Sequence, residues 1–360
     1  MTDLEKLCLR VTEAADCAVI TDDVNRRYFT AMKSSAGTLV VFPEKAYFII
    51  DFRYIEKAKK TVTACEVILQ DKLCEQINSL IEKHGAKTVS VNADTCTLSE
   101  LIAYQQKLNA EVIADTKLAE IIREIRTVKS QEQIDKIIKA QRIAEKGFAH
   151  MLDFIKVGRT EKEIQLELDY YMLKNGAEAL SFDTIALSGS NTSLPHGVPS
   201  DKKVESGEFV LMDFGATYDG WHSDMTRTVC VGKPSDKMKS VYGTVLTAQL
   251  TALDAVKAGM SGKALDKIAR DIITEAGYGD NFGHSLGHGV GVEIHESPYA
   301  SPSREDILPE NSIVTVEPGI YLEGKFGVRI EDFVVVTENG CINMTKAPKE
   351  LSLIHISEPT

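Results

Sequence analysis

Apolar residues recur along this 360-residue chain with two periods, and the switch between them marks out its elements. Up to about position 115, short β-branched runs read as strands: CAVIT (17–21), TLVVF (38–42), AYFIID (46–51), CEVILQ (65–70) and KTVSVN (87–92). Pro43-Glu44-Lys45 turns the second run into the third. Helical stretches fall between them at about 52–60, 71–84 and 98–109, which predicts an α/β domain built on a mixed sheet. A charged helical segment at 118–130 leads out of it. Ser130 and Gln133 then make a capping box for a helix that carries Ile134, Ile137, Ile138, Ala144 and Phe148 at helical spacing. The boundary is placed near residue 120, between a domain of residues 1–120 and a larger one of 121–350.

Within the larger domain the pattern repeats. IKVGRTEKEI (155–164) resembles VKAGMSGKAL (256–265) at an offset of 101, so Gly158 falls on Gly259 and Gly176 on Gly277. Each copy continues into an acid-bearing strand, VLMDFG (210–215) and VTVEPG (314–319), and each is followed by a second acid, Asp224 or Glu331. This predicts a duplicated α/β half about a pseudo-twofold axis, with the four acids meeting at its centre.

The stretch VLMDFGATYDGWHSDMTRT (210–228) reads as a hairpin, because both positions of an Asp219-Gly220 turn need positive φ. In that register Tyr218 pairs with Trp221 and Asp213 with Thr226, while Asp224 faces Gly215. Asp213 and Asp224 then project from one face as diagonal neighbours, about 7 Å or less apart. Like charges so close need positive charge between them. Between the acidic strands lies GHSLGHGVGVEIHE (283–296), with His284, His288 and His295 in a chain that has eight histidines. Its glycines argue for a tight loop or bulged strand that lets backbone approach a site. Serine at 285 excludes the HExxH zinc helix.

Asp213, Asp224, His288, Glu317 and Glu331 together form a hard, oxygen-rich donor set suited to two divalent ions such as Mn, Co, Fe or Zn. Such ions neutralise the clustered carboxylates, polarise a carbonyl and supply a bridging hydroxide near neutral pH, which is the chemistry of amide hydrolysis. Composition removes other classes. A formal charge of −12 and the lack of a basic stripe oppose a nucleic-acid partner. No apolar run reaches the length of a membrane span and MTDLEKLCLR is no secretion signal. The seven cysteines are scattered without CxxC spacing, as in a reduced, cytoplasmic protein. The closing LSLIHISEPT (351–360) matches the translation of a sequencing adapter, so it is expected to be a non-native tail, and His355 is set aside with it.

The motifs SGSNTSLPHG (188–197), MDFG and HSDMTRT (within 212–228), HSLGHGVGVEIHE (284–296), VEPGIY (316–321) and GVRIEDFVVVTENG (327–340) resemble those of the pita-bread metallopeptidases. The branch they are most similar to is that of the Xaa-Pro aminopeptidases and Xaa-Pro dipeptidases (prolidases). NRRYFT and IIDFRY resemble that branch's creatinase-like N-terminal domain. The resemblance implies a small mixed-sheet α/β domain followed by a pseudo-twofold pita-bread catalytic domain, and a dinuclear exopeptidase for peptides with proline second. Manganese is the metal it favours, ahead of Co, Zn or Fe, and dimers are common among such proteins. Carried over by position, the ligands fall on the same five residues, and Glu317 also shuttles a proton. His196 lines the substrate pocket, His295 hydrogen-bonds the substrate carbonyl, and His284 stands near the leaving group. Thr226 and Arg329 are placed to orient carboxylates. Glu317 and Glu331 stand fourteen positions apart, like the proline-specific branch rather than the methionine aminopeptidases. Two other readings share the fold: a metal-free creatinase-like C–N hydrolase, which lacks this ligand set, and a non-catalytic peptide- or protein-binding module.

Overall fold

The computed structural model describes residues 1–351, so the non-native reading of 351–360 falls, beyond Leu351, outside the described residues. The chain divides into two compact units, Met1–Arg126 and the remainder from Thr127. The helix Lys117–Thr127 runs across the expected boundary, and Leu118, Ile121, Ile122 and Ile125 place it in the core of the first unit.

The first unit is a six-stranded mixed sheet in the order Glu66–Leu69, Ala46–Ile50, Thr38–Val41, Cys17–Ile20, Thr88–Val91, Glu111–Ile113. Its three outer-to-inner parallel pairs flank an antiparallel centre. The central strands are apolar at successive positions because both faces are covered: Ala18 and Ile20 pack on one side, Cys17 and Val19 on the other. Helices Asp3–Arg10 and Asp23–Thr30, eight residues each, are too short for periodicity to reveal. Their starts are nonetheless written in the caps, Thr2 with Glu5 and Asp22.

From Thr127 on, the unit is built from two like halves. Helix Gln131–Phe154 starts at the expected capping box of Ser130 and Gln133. Helix Glu161–Lys174, N-capped by Thr160, has its counterpart in Gly262–Glu275, N-capped by Ser261. Gly158, Gly176, Gly259 and Gly277 all adopt positive φ at matching ends of these helices. Even the bridges recur, Thr160 to Lys203 in one half and Ser261 to Ile307 in the other. In the first half, Val210, Met212 and Phe214 of strand Glu208–Phe214 turn toward Ile164, Leu168 and Met172 of its helix. In the second, Val314 and Val316 of strand Ile313–Val316 join Leu265, Ala269 and Ile273. Period-two alternation therefore sends Asp213 to the face away from the helices in one half, and Thr315 and Glu317 to that face in the other. The halves meet along Thr226–Thr228 and Arg329–Glu331, where Glu331 N donates to Thr226 O at 3.1 Å and Thr228 Oγ1 to Arg329 O at 2.9 Å.

Candidate metal centre

The hairpin has the register its turn predicts. Thr226 pairs with Asp213, and Tyr218 with Trp221 across a turn whose Asp219 and Gly220 have φ of 49° and 81°. Between the two ladders lies Gly215, where a Cβ would sit 1.9 Å from Ser223 O. A side chain at that position would force apart the backbone that carries Asp224. Strand Gly287–Gly289 shows a bulge against Glu296–Ala300, and it brings His288 against Thr315, whose Oγ1 accepts from His288 N at 3.0 Å. Gly287 cannot be replaced there without a Cβ 2.0 Å from Thr315 O. The glycines are thus the condition for the close approach.

These elements bring all five proposed donors to one cleft of about 490 Å³, whose walls also include His196, His284, His295 and Arg329. His288 Nε2 lies 3.3 Å from Glu317 Oε1 and 3.6 Å from Asp224 Oδ2. Donor atoms of Asp224, His288 and Glu331 all fall within 4.8 Å of one another. His288 Nδ1 faces the Gly289 carbonyl at 3.0 Å. A carbonyl can only accept, so Nδ1 carries a proton and Nε2 is the nitrogen turned on the acids; displacing the Nε2 proton would free the lone pair that a metal ligand requires.

Thr226, fully buried behind the cleft, donates its hydroxyl to Glu331 Oε2 at 2.7 Å and accepts from Arg329 Nε at 3.0 Å. Arg329 Nη2 donates to Asp213 Oδ2 at 2.5 Å, and its Nη1 to the Tyr321 hydroxyl at 2.7 Å. The remaining oxygens, Asp213 Oδ1 and Glu331 Oε1, are buried with no hydrogen-bond partner among the described residues. Buried acceptors left in this state are costly.

The electrostatics follow from that crowding. Burial, and then the neighbouring carboxylates, push Asp224 and Glu331 well above the usual carboxylate range, and burial also raises Asp213 despite Arg329. Burial works against a charged His288, yet Glu317 and Asp224 overcome it and push the imidazole up to about 9. Burial likewise opposes an ionised Glu317, and His288 outweighs it, holding the carboxyl down to about 2. Four carboxylates against one guanidinium and one imidazole leave a surplus of negative charge and unused oxygen lone pairs. The donor set fits divalent cations held by Asp213, Asp224, His288, Glu317 and Glu331.

The expected histidines differ in how they stand. His295 is exposed on one side at the cleft, with its ring centroid 4.4 Å from that of His288, and partial desolvation on the cleft side and the His288 charge lower its pKa. His196 is exposed on the opposite loop, beside Pro195. His284 lines the cleft with both nitrogens engaged, Nδ1 with Ser285 O at 2.8 Å and Nε2 with the Tyr321 hydroxyl at 2.9 Å. His150 and His222, to which no role is ascribed, lie elsewhere: the former pairs with Glu167 at 2.7 Å. Sequence reasoning missed Thr315 and Tyr321. Thr315 was within reach, since alternation puts it on the face of Glu317, to whose Oε1 it donates at 3.1 Å. Nothing local marks Tyr321 as the link between Arg329 and His284.

Residues 135–338 match Metallopeptidase family M24, and residues 10–128 match the Creatinase/Prolidase N-terminal domain. Among curated relatives, the Xaa-Pro dipeptidase of Pyrococcus horikoshii is 46% identical over 337 residues, covering 93% of this chain and 94% of that protein. Among solved structures, an Xaa-Pro dipeptidase from Bacillus anthracis superposes with a TM-score of 0.93 at 41% identity, covering 97% of this chain and 98% of the other. An X-Pro aminopeptidase from Thermotoga maritima gives 0.87 at 39% identity, with 94% and 97% covered.

Proposed function

The chain belongs to metallopeptidase family M24, and from that premise we propose that it hydrolyses the bond between an N-terminal residue and a following proline. The observation that carries this reading is the convergence of Asp213, Asp224, His288, Glu317 and Glu331 on one cleft, where Asp213 Oδ1 and Glu331 Oε1 are buried without a partner among the described residues. These five residues would hold two divalent ions, with manganese preferred and cobalt, zinc or iron as alternatives. Bound ions supply Lewis acidity for the scissile carbonyl and for the attacking water.

The chain's own residues do the rest. Glu317, whose Oε1 is held by Thr315 and faces His288, takes the proton of the water that attacks the carbonyl carbon. It returns that proton to the proline nitrogen as the C–N bond breaks. His295 donates to the carbonyl oxygen as charge gathers there, an oxyanion-type contribution, and His196 faces the substrate from the other wall. His284 borders the leaving-group side, its ring fixed by Tyr321 and the Ser285 carbonyl. Proline's nitrogen carries no N–H in a peptide bond, so the wall of Phe182, Ile185, Pro195 and Tyr299 can receive the ring without a polar partner.

Relatives bear both dipeptidase and aminopeptidase names, so both Xaa-Pro and Xaa-Pro-Xaa peptides are substrates to try. We also assign a homodimer, in line with similar proteins, and a cytoplasmic setting, in line with seven free cysteines. The net charge of −12 speaks against a nucleic-acid partner, and no helix among the described residues is long and apolar enough to cross a membrane. The test is turnover of Ala-Pro, Ala-Pro-Ala and Ala-Ala by the chelated protein after reconstitution with Mn, Co or Zn. Cleavage confined to the proline peptides and dependent on metal is expected. No cleavage with any metal would sink the reading.

A further inference from the structure

Lys129 has a fully buried side chain, 0% exposed, and its ammonium lies 2.6 Å from Glu296 Oε1, itself only 6% exposed. A buried ion pair is a poor way to stabilise a fold, since apolar residues of the same volume often do as well or better. What this pair holds is more specific. Glu296 directly follows His295, and its carboxylate fills the inside of the turn 291–296. A Cβ on Gly291 would meet Glu296 Oε1 at 2.1 Å, and Glu293 N points to Glu296 Oε2 at 3.4 Å. Gly291 N donates to Glu293 O at 3.0 Å, and Gly291 O accepts from His222 N at 2.9 Å, which ties the turn to the hairpin of Asp213 and Asp224. On the other side Lys129 is fixed by its own backbone, N donating to Asn311 O at 2.9 Å, and by Nζ donating to Thr127 O at 3.2 Å. Glu296 thus points inward while its neighbour His295 points out, against His288.

We propose that the Lys129–Glu296 pair is a positioning device for His295: it locks the turn 291–296 so that the imidazole stands over the reacting carbonyl beside His288. The proposal rests on the reading of His295 as the group that hydrogen-bonds that carbonyl. It makes Lys129 and Glu296 positioning residues, acting on catalysis only through His295. A truncated lysine would leave a buried carboxylate unpaired, so the double variant Lys129→Met with Glu296→Gln removes both charges at nearly constant volume.

The experiment compares this double variant, and Lys129→Arg, with wild type, each with His295 intact and with His295→Ala. With His295 present, kcat on Ala-Pro falls at least tenfold in the double variant and about fivefold in Lys129→Arg, while KM moves less than twofold. With His295 absent, neither change lowers kcat by more than twofold. Equal losses in both backgrounds, or wild-type kcat in both variants, would overturn the proposal. Lys129→Arg keeps the charge, and circular dichroism with the urea midpoint of each variant separates a loss of kcat from a loss of fold. A readout free of turnover accompanies it: the His295 ring-proton resonance, set in wild type by the His288 ring 4.4 Å away, moves in the variants as the two rings separate. An unchanged resonance would overturn the proposal too. Lack of wild-type cleavage would instead refute the proposed function, and the resonance would still decide the positioning role.

Discussion

Thr226 holds two residues of the site with a single hydroxyl, donating to Glu331 Oε2 and accepting from Arg329 Nε. Thr226→Val keeps the shape and deletes both bonds. It should weaken metal binding about 10–100-fold, read by titrating the chelated protein with Mn while following turnover. It should also cost the fold about 1–3 kcal/mol in urea, because a buried N–H and a buried oxygen lose their partner. Asp224→Ala should go further: metal content per chain falls and kcat drops more than about 1000-fold, with circular dichroism unchanged, since several kcal/mol of charge stabilisation leave with the ion. A third residue-scale effect lies behind the site. Asp332 is fully buried, and Arg227 and Lys349 more than offset the burial that would raise its pKa, so the carboxyl titrates below its ordinary value. A lowered carboxyl contributes stability above its unfolded pKa of about 3.9 and loses it as pH falls through the folded value. Asp332→Asn should therefore cost about 3–5 kcal/mol, measured by urea unfolding, at a constant level from pH 8 to about 5, and the difference should shrink only below about pH 4.

At the scale of elements, two backbone approaches decide whether the donors meet. Gly215 and Gly287 each leave room for a carbonyl that a Cβ would strike, Ser223 O at 1.9 Å and Thr315 O at 2.0 Å. Neither needs positive φ, so close packing rather than backbone freedom is the reason for glycine. Alanine at either position should cost about 2–4 kcal/mol in thermal or urea unfolding and lower the metal content. Alanine at Gly324, an exposed position where φ is 67° and a Cβ would meet nothing within 4 Å, should cost only about 1 kcal/mol and leave the metal content intact. The hairpin was legible because Asp219-Gly220 fixes turn type and register together. The bulge at Gly287–Gly289 was legible only as a loop or bulged strand, since its partner strand Glu296–Ala300 is not announced by alternation.

The whole catalytic unit is two α/β halves whose acids lie on the sheet faces turned from their own helices. That arrangement concentrates negative charge at the junction, so folding and metal binding are linked. Ions present at 100 times their dissociation constant add about 2.7 kcal/mol, and chelation should lower the melting temperature by about 5–10 °C, checked by scanning calorimetry with and without EDTA. No change on chelation would mean that the site binds no ion in the folded state. The family, the duplicated halves, the hairpin register and the ligand candidates can all be derived from the sequence alone. Period-two alternation, glycine pairs offset by 101 and capping boxes are local rules, and local rules survive without a partner. Long-range contacts were decided only in three dimensions. The link through Tyr321 joins Arg329 to His284, with Tyr321 and His284 themselves 37 positions apart, and the Lys129–Glu296 pair joins residues 167 apart. Neither leaves a periodic trace, because a single side chain reaching across a core is specified by what surrounds it, not by its neighbours in sequence.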